Sequence, residues 1–270
     1  MSNALMREPS LLLIEGNPRS LYVTSLGHKF WLNRSGYIDL KIINEGGFEK
    51  SSTKIIQQLV KNGDVVLDIG ANIGYYTIIF SKLVGSNGRV IAFEPTMHFK
   101  SVLERNIRAN VLDENIEIIG KGLSNREESL IIDIGPSSAT LHSPQGYDSI
   151  LKQEEISLTT LDKFMVTQDI DRIDFIKIDV DGHEPFFFEG AWATLEKYTP
   201  IIIFEISHLH YLEAGVFAWD FYHSIISRGY NIFHEDDLKQ IKSQTEFLRR
   251  CSNFNQTCNV IITKKERLDF

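Results

Sequence analysis

With 270 residues, 43% of them hydrophobic and 24% charged, the chain matches the averages of globular proteins and lies far from disordered, collagen-like or membrane compositions. Its formal charge of -8 removes the general attraction to phosphate backbones on which nucleic-acid binders rely, so no nucleic-acid partner is expected. No run approaches the roughly 18 apolar residues needed to span a bilayer, and the start of the chain lacks the pattern of a secretory signal, so a cytoplasmic protein is expected.

Residues 1 to 50 carry short apolar runs (Leu11 to Ile14, Leu21 to Thr24, Phe30 to Leu32) between Gly, Asn and Ser, which predicts short strands and turns forming a cap or edge. Residues 51 to 270 are expected to form one larger domain with an insert near 126 to 161. It opens with a helix, since Ile55, Ile56, Leu59 and Val60 fall at helical spacing behind the capping cluster Ser51-Ser52-Thr53, and Asn62-Gly63 stops it. Val65 to Ile69 is a largely β-branched run of strand length, followed by a Gly-rich turn and a helix from Tyr75 to Val84 closed by Gly85. The alternation continues with strand Arg89 to Phe93, helix Met97 to Asn110, strand Ile116 to Ile119, strand Phe175 to Val180, helix Pro185 to Tyr198 and strand Ile201 to Ile206. Unbroken apolar strands are buried on both faces, and alternation with helices makes them parallel, so the prediction is a doubly wound, mostly parallel α/β sheet.

Two stretches depart from this pattern. Ser129 to Ile134 and Ile156 to Leu161 flank a Gly/Pro/Ser-rich segment from Gly135 to Gly146, which predicts an inserted antiparallel pair with a loop. Near the end, Trp219 to Arg228 reads as a helix, Tyr230 to Phe233 as a strand, and Asn259 to Thr263 as a final antiparallel strand at the sheet edge.

In such a sheet, ligands sit beyond the carboxyl ends of the strands, where strand order reverses. The segments in that place are Asp68 to Gly74, Glu94, Gly122 to Asn125, Asp179 to Glu184 and Glu205 to His210. In the first, Gly70 and Gly74 allow a tight turn and a close approach to a ligand at a helix N-terminus. Dinucleotide enzymes use G-x-G-x-x-G, whereas here the order is Asp68-Ile69-Gly70-Ala71-Asn72-Ile73-Gly74. An acidic residue ahead of the glycines repels a pyrophosphate and suits the ammonium and sulfonium of S-adenosylmethionine, which favours methyl transfer over hydride transfer.

Glu94 ends the second strand, where an acidic side chain can accept hydrogen bonds from ribose hydroxyls; its other reading is a helix cap before Pro95. Leu123 and Ser124 stand where an adenine ring is flanked, or where a plain turn lies. Lys177 in a buried strand needs a partner, for which Asp179, Asp181 and Glu184 are available. The functional reading puts Asp179 beside the methyl donor and His183 and Glu184 at the mouth of the cleft, with His183 as general base and His208 and His210 next in line. Asp179, Asp181 and Glu184 could also ligate Mg²⁺, but no second cluster completes such a site and no metal is predicted. Cys251 and Cys258 have no His cluster nearby in the sequence and read as ordinary thiols rather than a zinc site or disulfide.

Asp68 to Thr77, Phe93-Glu94-Pro95, Asn106, Leu161-Asp162, Lys177 to Glu184 and Glu189-Gly190-Ala191 together resemble the FkbM-type methyltransferase family. The resemblance runs from about Gly47 to Ser207. It implies a Rossmann-like class I methyltransferase fold, S-adenosylmethionine as donor, and a hydroxyl oxygen of a sugar or other secondary metabolite as acceptor. It also implies that Asp68, Gly70, Asn72, Gly74 and Glu94 hold the donor, with Asp179 and Glu184 at the active centre. The family commonly carries Glu where this chain has Asp181, which is therefore left out of the assignment. A non-catalytic adenosine-binding partner subunit is the competing class, against which the intact Asp179 and Glu184 argue.

Overall fold

The computed structural model describes residues 19–112, 114–136, 138–140, 152–251, 257–265 and 268. An antiparallel pair, β1 (Ser20–Val23) and β2 (Lys29–Leu32), precedes α1 (Tyr37–Glu45) and α2 (Lys50–Leu59). Next come β3 (Val65–Ile69), α3 (Tyr75–Val84), β4 (Arg89–Phe93), α4 (Met97–Asn110) and β5 (Ile116–Ile119). After β6 (Gly122–Leu123), the insert holds β7 (Glu128–Ile134), β8 (Ala139–Thr140) and β9 (Lys152–Thr159), and α5 (Leu161–Val166) follows it. The second half runs β10 (Phe175–Ile178), α6 (Glu184–Glu189), α7 (Trp192–Tyr198), β11 (Ile201–Ile206), α8 (His208–Glu213) and α9 (Ala218–Ile226). It closes with β12 (Asn231–His234), β13 (Gln240–Ile241), α10 (Gln244–Cys251) and β14 (Cys258–Thr263).

The central sheet has the order β13-β12-β14-β11-β10-β3-β4-β5. Strands β11, β10, β3, β4 and β5 are parallel, and β14 runs antiparallel to both β11 and β12. This is the expected doubly wound α/β sheet, and strand order reverses between β3 and β10. Alternate residues enter two cores: Leu67, Ile69, Ile176 and Ile178 face one side with Phe187, Phe188 and Phe221. Val66, Val90 and Phe175 face the other side with Ile56, Ile79 and Phe80. Burial on both faces explains why these strands read as continuous apolar runs.

Several expectations need correction. The final strand is wedged between β11 and β12 and leaves β13 at the edge; Val260, Ile261 and Ile262 are each 0% exposed, which an edge position cannot provide. The helix expected from Pro185 to Tyr198 breaks at Gly190-Ala191 into α6 and α7. Ser51-Ser52-Thr53 does not cap α2: the helix starts at Lys50 after Glu49, whose φ is +40°. The Ser52 hydroxyl instead donates to Glu235 Oε1 at 2.5 Å and Thr53 Oγ1 donates to the Phe48 carbonyl at 3.0 Å.

Strands β7 and β9 pair antiparallel as expected, while most of the Gly135 to Gly146 loop, like the Leu11 to Ile14 run, lies outside the described residues. The segment from β1 to α1 adds its own apolar residues Tyr22, Phe30, Leu32 and Ile42 to the core shared with α3. It is fastened by the Trp31 amide, which donates to Asn106 Oδ1 at 2.7 Å.

Candidate functional site

The turn after β3 is held from two sides. The Gly70 and Ala71 amides donate to the Phe93 carbonyl at 3.0 and 2.9 Å, and Asn106 Nδ2 donates to the Ile73 carbonyl at 2.8 Å. Gly70 has φ +80°, and an added Cβ would lie 1.9 Å from the Asp179 carbonyl oxygen. Only glycine lets the turn after β3 and the loop after β10 meet at the point where strand order reverses. Gly74, with φ +86°, starts α3 against Leu103.

The two loops border a cleft. Phe93, Phe99 and Leu123, with Ile132, Ile156 and Leu158 from the insert, form an apolar slot, and Asn72, Glu94, Asp179, Asp181 and His183 form a polar wall. Glu94 is 4% exposed. Its Oε2 accepts from the Asn72 amide at 2.9 Å, and its Oε1 accepts from the Thr96 amide and hydroxyl at 3.0 and 2.6 Å. A carboxylate has about four acceptor sites, so about one remains for a ligand unless the Thr96 hydroxyl turns away. The cap reading of Glu94 is resolved in favour of Thr96, whose own Oγ1 accepts from the Phe99 amide and starts α4.

Leu123 lies on the cleft wall, whereas Ser124 is buried behind it with Oγ 2.9 Å from His183 Nε2. The reason is Gly190: an added Cβ there would lie 2.0 Å from the Ser124 carbonyl, so the α6–α7 break lets β6 approach α6. His183 also lies against Phe186, with ring centroids 4.8 Å apart. Imidazole orientation is thus set by a hydroxyl on one side and an aromatic ring on the other.

A smaller cleft adjoins the first at Gly70, Asn72 and Asp179 and is lined by Asp68, Lys177, Tyr75, Tyr76, Phe48 and Ile38. Lys177 Nζ is 2.9 Å from Asp179 Oδ2 and 4.5 Å above the Tyr76 ring. Burial works against its ammonium, but Asp179, Glu49 and Asp68 outweigh it and hold the pKa above the ordinary value. Asp68 is 2% exposed and accepts the Thr77 hydroxyl at 2.5 Å. Burial pushes its carboxyl up to about 6, against the pull of Lys177 and Thr77.

The loop after β10 passes through Asp181 (φ +50°) and Gly182 (φ +95°). Glu184 is 0% exposed, and its Oε1 accepts from the Val180 and Gly182 amides at 3.1 and 3.4 Å. The carboxyl expected at the cleft mouth therefore sits beneath the loop and shapes it. Burial pushes Glu184 up to about 7, and burial followed by Asp179 and Glu184 pushes Asp181 up to about 8. Asp181 on the cleft wall and Glu184 beneath it thus resist ionising beside Asp179, and a cation entering the cleft would favour their ionised forms. Among the described residues, Asp179, Asp181 and Glu184 do not bring oxygens to one ion position. Neither His208 nor His210 lines the cleft; His208 is buried, and His210 Nδ1 lies 2.9 Å from Ser207 Oγ.

Asp181 belongs to the cleft wall although it was set aside on the sequence. The roles of Asn106 and Gly190 were also missed. A signal for Asn106 existed: it shares an apolar helical face with Val102, Leu103 and Ile107, and a polar residue buried there needs a partner.

A family model described as the methyltransferase FkbM domain matches residues 68–249, about two thirds of the chain. No curated protein matches the chain in sequence. Among solved structures it is similar to a methyltransferase FkbM from Methylobacillus flagellatus KT, at 15% identity and a TM-score of 0.48, over 77% of this chain and 50% of that one. The chain therefore spans half the length of that relative. It is also similar to an O-methyltransferase from Bacillus cereus in complex with SAH, at 17% identity, 80% of each chain and a TM-score of 0.48. A SAM-dependent methyltransferase from Aquifex aeolicus is similar at 15% identity, 80% of this chain, 90% of that one and a TM-score of 0.45.

Proposed function

The chain belongs to the methyltransferase FkbM domain family, and from that premise we propose that it methylates a hydroxyl oxygen of a small-molecule or glycan acceptor, with S-adenosylmethionine as donor. The observation that carries this reading is the meeting of three parts at the reversal of strand order: the Gly70–Gly74 turn, Glu94, and the carboxyl-lined loop from Asp179 to His183.

The lining of the cleft supports this donor. Its apolar slot with Leu123 accommodates an adenine ring, the remaining acceptor site on Glu94 suits a ribose hydroxyl, and Asp179 and Asp181 suit the cationic end. When bound, S-adenosylmethionine supplies an electrophilic methyl on a sulfonium and leaves as a neutral thioether. Asp179 and His183 are the groups on the cleft wall that can touch the reacting atoms. His183 takes the proton of the acceptor hydroxyl as the new O–C bond forms, with its ring held by Ser124. Glu184 acts through the loop it supports and is a positioning residue. Positioning supplies most of the rate, as is usual for in-line transfers.

Two measurements test the proposal. S-adenosylmethionine and S-adenosylhomocysteine should stabilise the protein by about 2.7 kcal/mol at a hundredfold excess over Kd, whereas NAD should not. Incubation with a methyl-deuterated donor and a panel of alcohols, amines and thiols, read by mass spectrometry, should then label an alcohol. Stabilisation by NAD alone overturns the donor assignment, and labelling confined to amines or thiols overturns the acceptor class.

A further inference from the structure

We propose that His234, Cys251 and Cys258 bind a thiophilic divalent cation, Zn²⁺ in the first instance, which clasps the end of α10 to the central sheet. One ligand atom from each residue lies within 4.8 Å of the others. The juxtaposition is a product of the fold, since 16 residues separate His234 from Cys251 and 6 separate the two cysteines.

Register places the groups together. His234 pairs with Val260 across the β12–β14 ladder, and Cys258 lies two residues before Val260 on the same strand, hence on the same face. Cys251 ends α10 and joins the core cluster that holds Val260, and Cys258 packs against that cluster. Helix α10 is anchored on α9 by Phe247 against Tyr222, with ring centroids 4.9 Å apart, so Cys251 is held over the strand ends rather than swung there by chance.

The chemistry of the set also points to zinc. Two sulfurs and one imidazole nitrogen match the mixed Cys/His ligand sets of that ion and leave one tetrahedral position for water or a carboxylate. His234 and Cys251 are 8% and 1% exposed. The Asp236 amide donates to His234 Nδ1 at 3.2 Å and holds the ring in place. Binding would fix the end of α10 to β14, with no use made of the proposed methyl transfer.

The test uses the full chain, reduced with a phosphine and stripped of metal. Zn²⁺ titrated against a chromogenic chelator should bind at one equivalent per chain. Co²⁺ should give thiolate charge-transfer and tetrahedral d–d bands. Zn²⁺ should raise the thermal midpoint of the wild type, and Cys251→Ser, Cys258→Ser and His234→Ala should each lose the equivalent, the bands and the shift. The wild-type stoichiometry and the protection of both thiols from alkylation by bound Zn²⁺ stand even if a variant fails to fold. The proposal is overturned if the wild type binds no more Zn²⁺ than Cys251→Ser/Cys258→Ser, or if the thiols emerge as a disulfide whose reduction yields no zinc binding.

Discussion

Raising the pH from about 6 to about 9 should tighten binding of S-adenosylmethionine far more than binding of S-adenosylhomocysteine, because a sulfonium expels protons that a thioether does not. Asp181 has its carboxyl pushed up to about 8, chiefly by burial and then by Asp179 and Glu184. In the free protein it is therefore mostly protonated at neutral pH. A cation favours the ionised form and lowers the pKa, so affinity is weakest below the bound pKa, climbs between the two pKa values and levels off above about 8. A unit charge about 6 Å away at an effective dielectric of about 20 interacts by roughly 3 kcal/mol, enough to lower the pKa by about two. The ratio of product to donor dissociation constants should then rise by about tenfold to fiftyfold across that range. Calorimetry in buffers of different ionisation enthalpy reads both the affinities and the proton released. Asp181→Asn is the control, since the ligand's own amine titrates equally with both proteins. If the wild type and Asp181→Asn give the same pH dependence of that ratio, the carboxyl-rich cleft does not sense the donor's charge.

Three further outcomes are expected. Gly70→Ala should lose folding stability and donor binding together, because its Cβ meets the Asp179 carbonyl; Gly63→Ala, at φ +88° in open space, should cost only the left-handed strain of about 1 to 2 kcal/mol. Equal urea midpoints for the two would refute the loop-on-loop argument. Lys177→Ala should cost about 3 to 5 kcal/mol, toward the lower end because Asp179 stays 32% exposed; thermal or chemical melts as stable as the parent's would dismiss the ion cluster. His183→Ala should fold, keep its donor affinity and lose most turnover. Ser124→Ala should leave donor affinity intact and shift the pH profile of kcat, and an unchanged profile in both variants would assign the base elsewhere.

The parallel half of the sheet was legible because its strands are buried on both faces and its turns carry their glycines in order. The distal part was not: β14 inserts between β11 and β12, a non-local pairing that no local pattern encodes, and α1, α8 and α10 have only 9, 6 and 8 residues, too few turns for a clear helical period. Glycines were legible as turn residues, yet the partner of each was not. Gly70 is required by Asp179, more than a hundred residues away, and Gly190 by Ser124. Glu184 illustrates the opposite failure. A carboxyl just after an active-site strand reads as a cleft group, but its place beneath two backbone amides depends on the left-handed turn at Asp181-Gly182.

The residues that carry the family resemblance divide by what they touch. Glu94, Asn72 and Asp179 face the cleft, whereas Asn106, Asp162 and Gly190 hold other segments in place. Asn106 ties the β3 turn to the N-terminal hairpin, Asp162 accepts from the Ala193 and Thr194 amides at the start of α7, and Gly190 seats Ser124 behind His183. Such a motif specifies the assembly of the cleft proposed to hold the donor. Ile38 and Phe48, on the wall of the smaller cleft that meets the larger one at Asp179, precede the matched residues altogether. That wall is supplied by the N-terminal segment, whose core residues Tyr22, Phe30, Leu32 and Ile42 share a core with α3, so a segment outside the family match is held against the cleft by apolar packing.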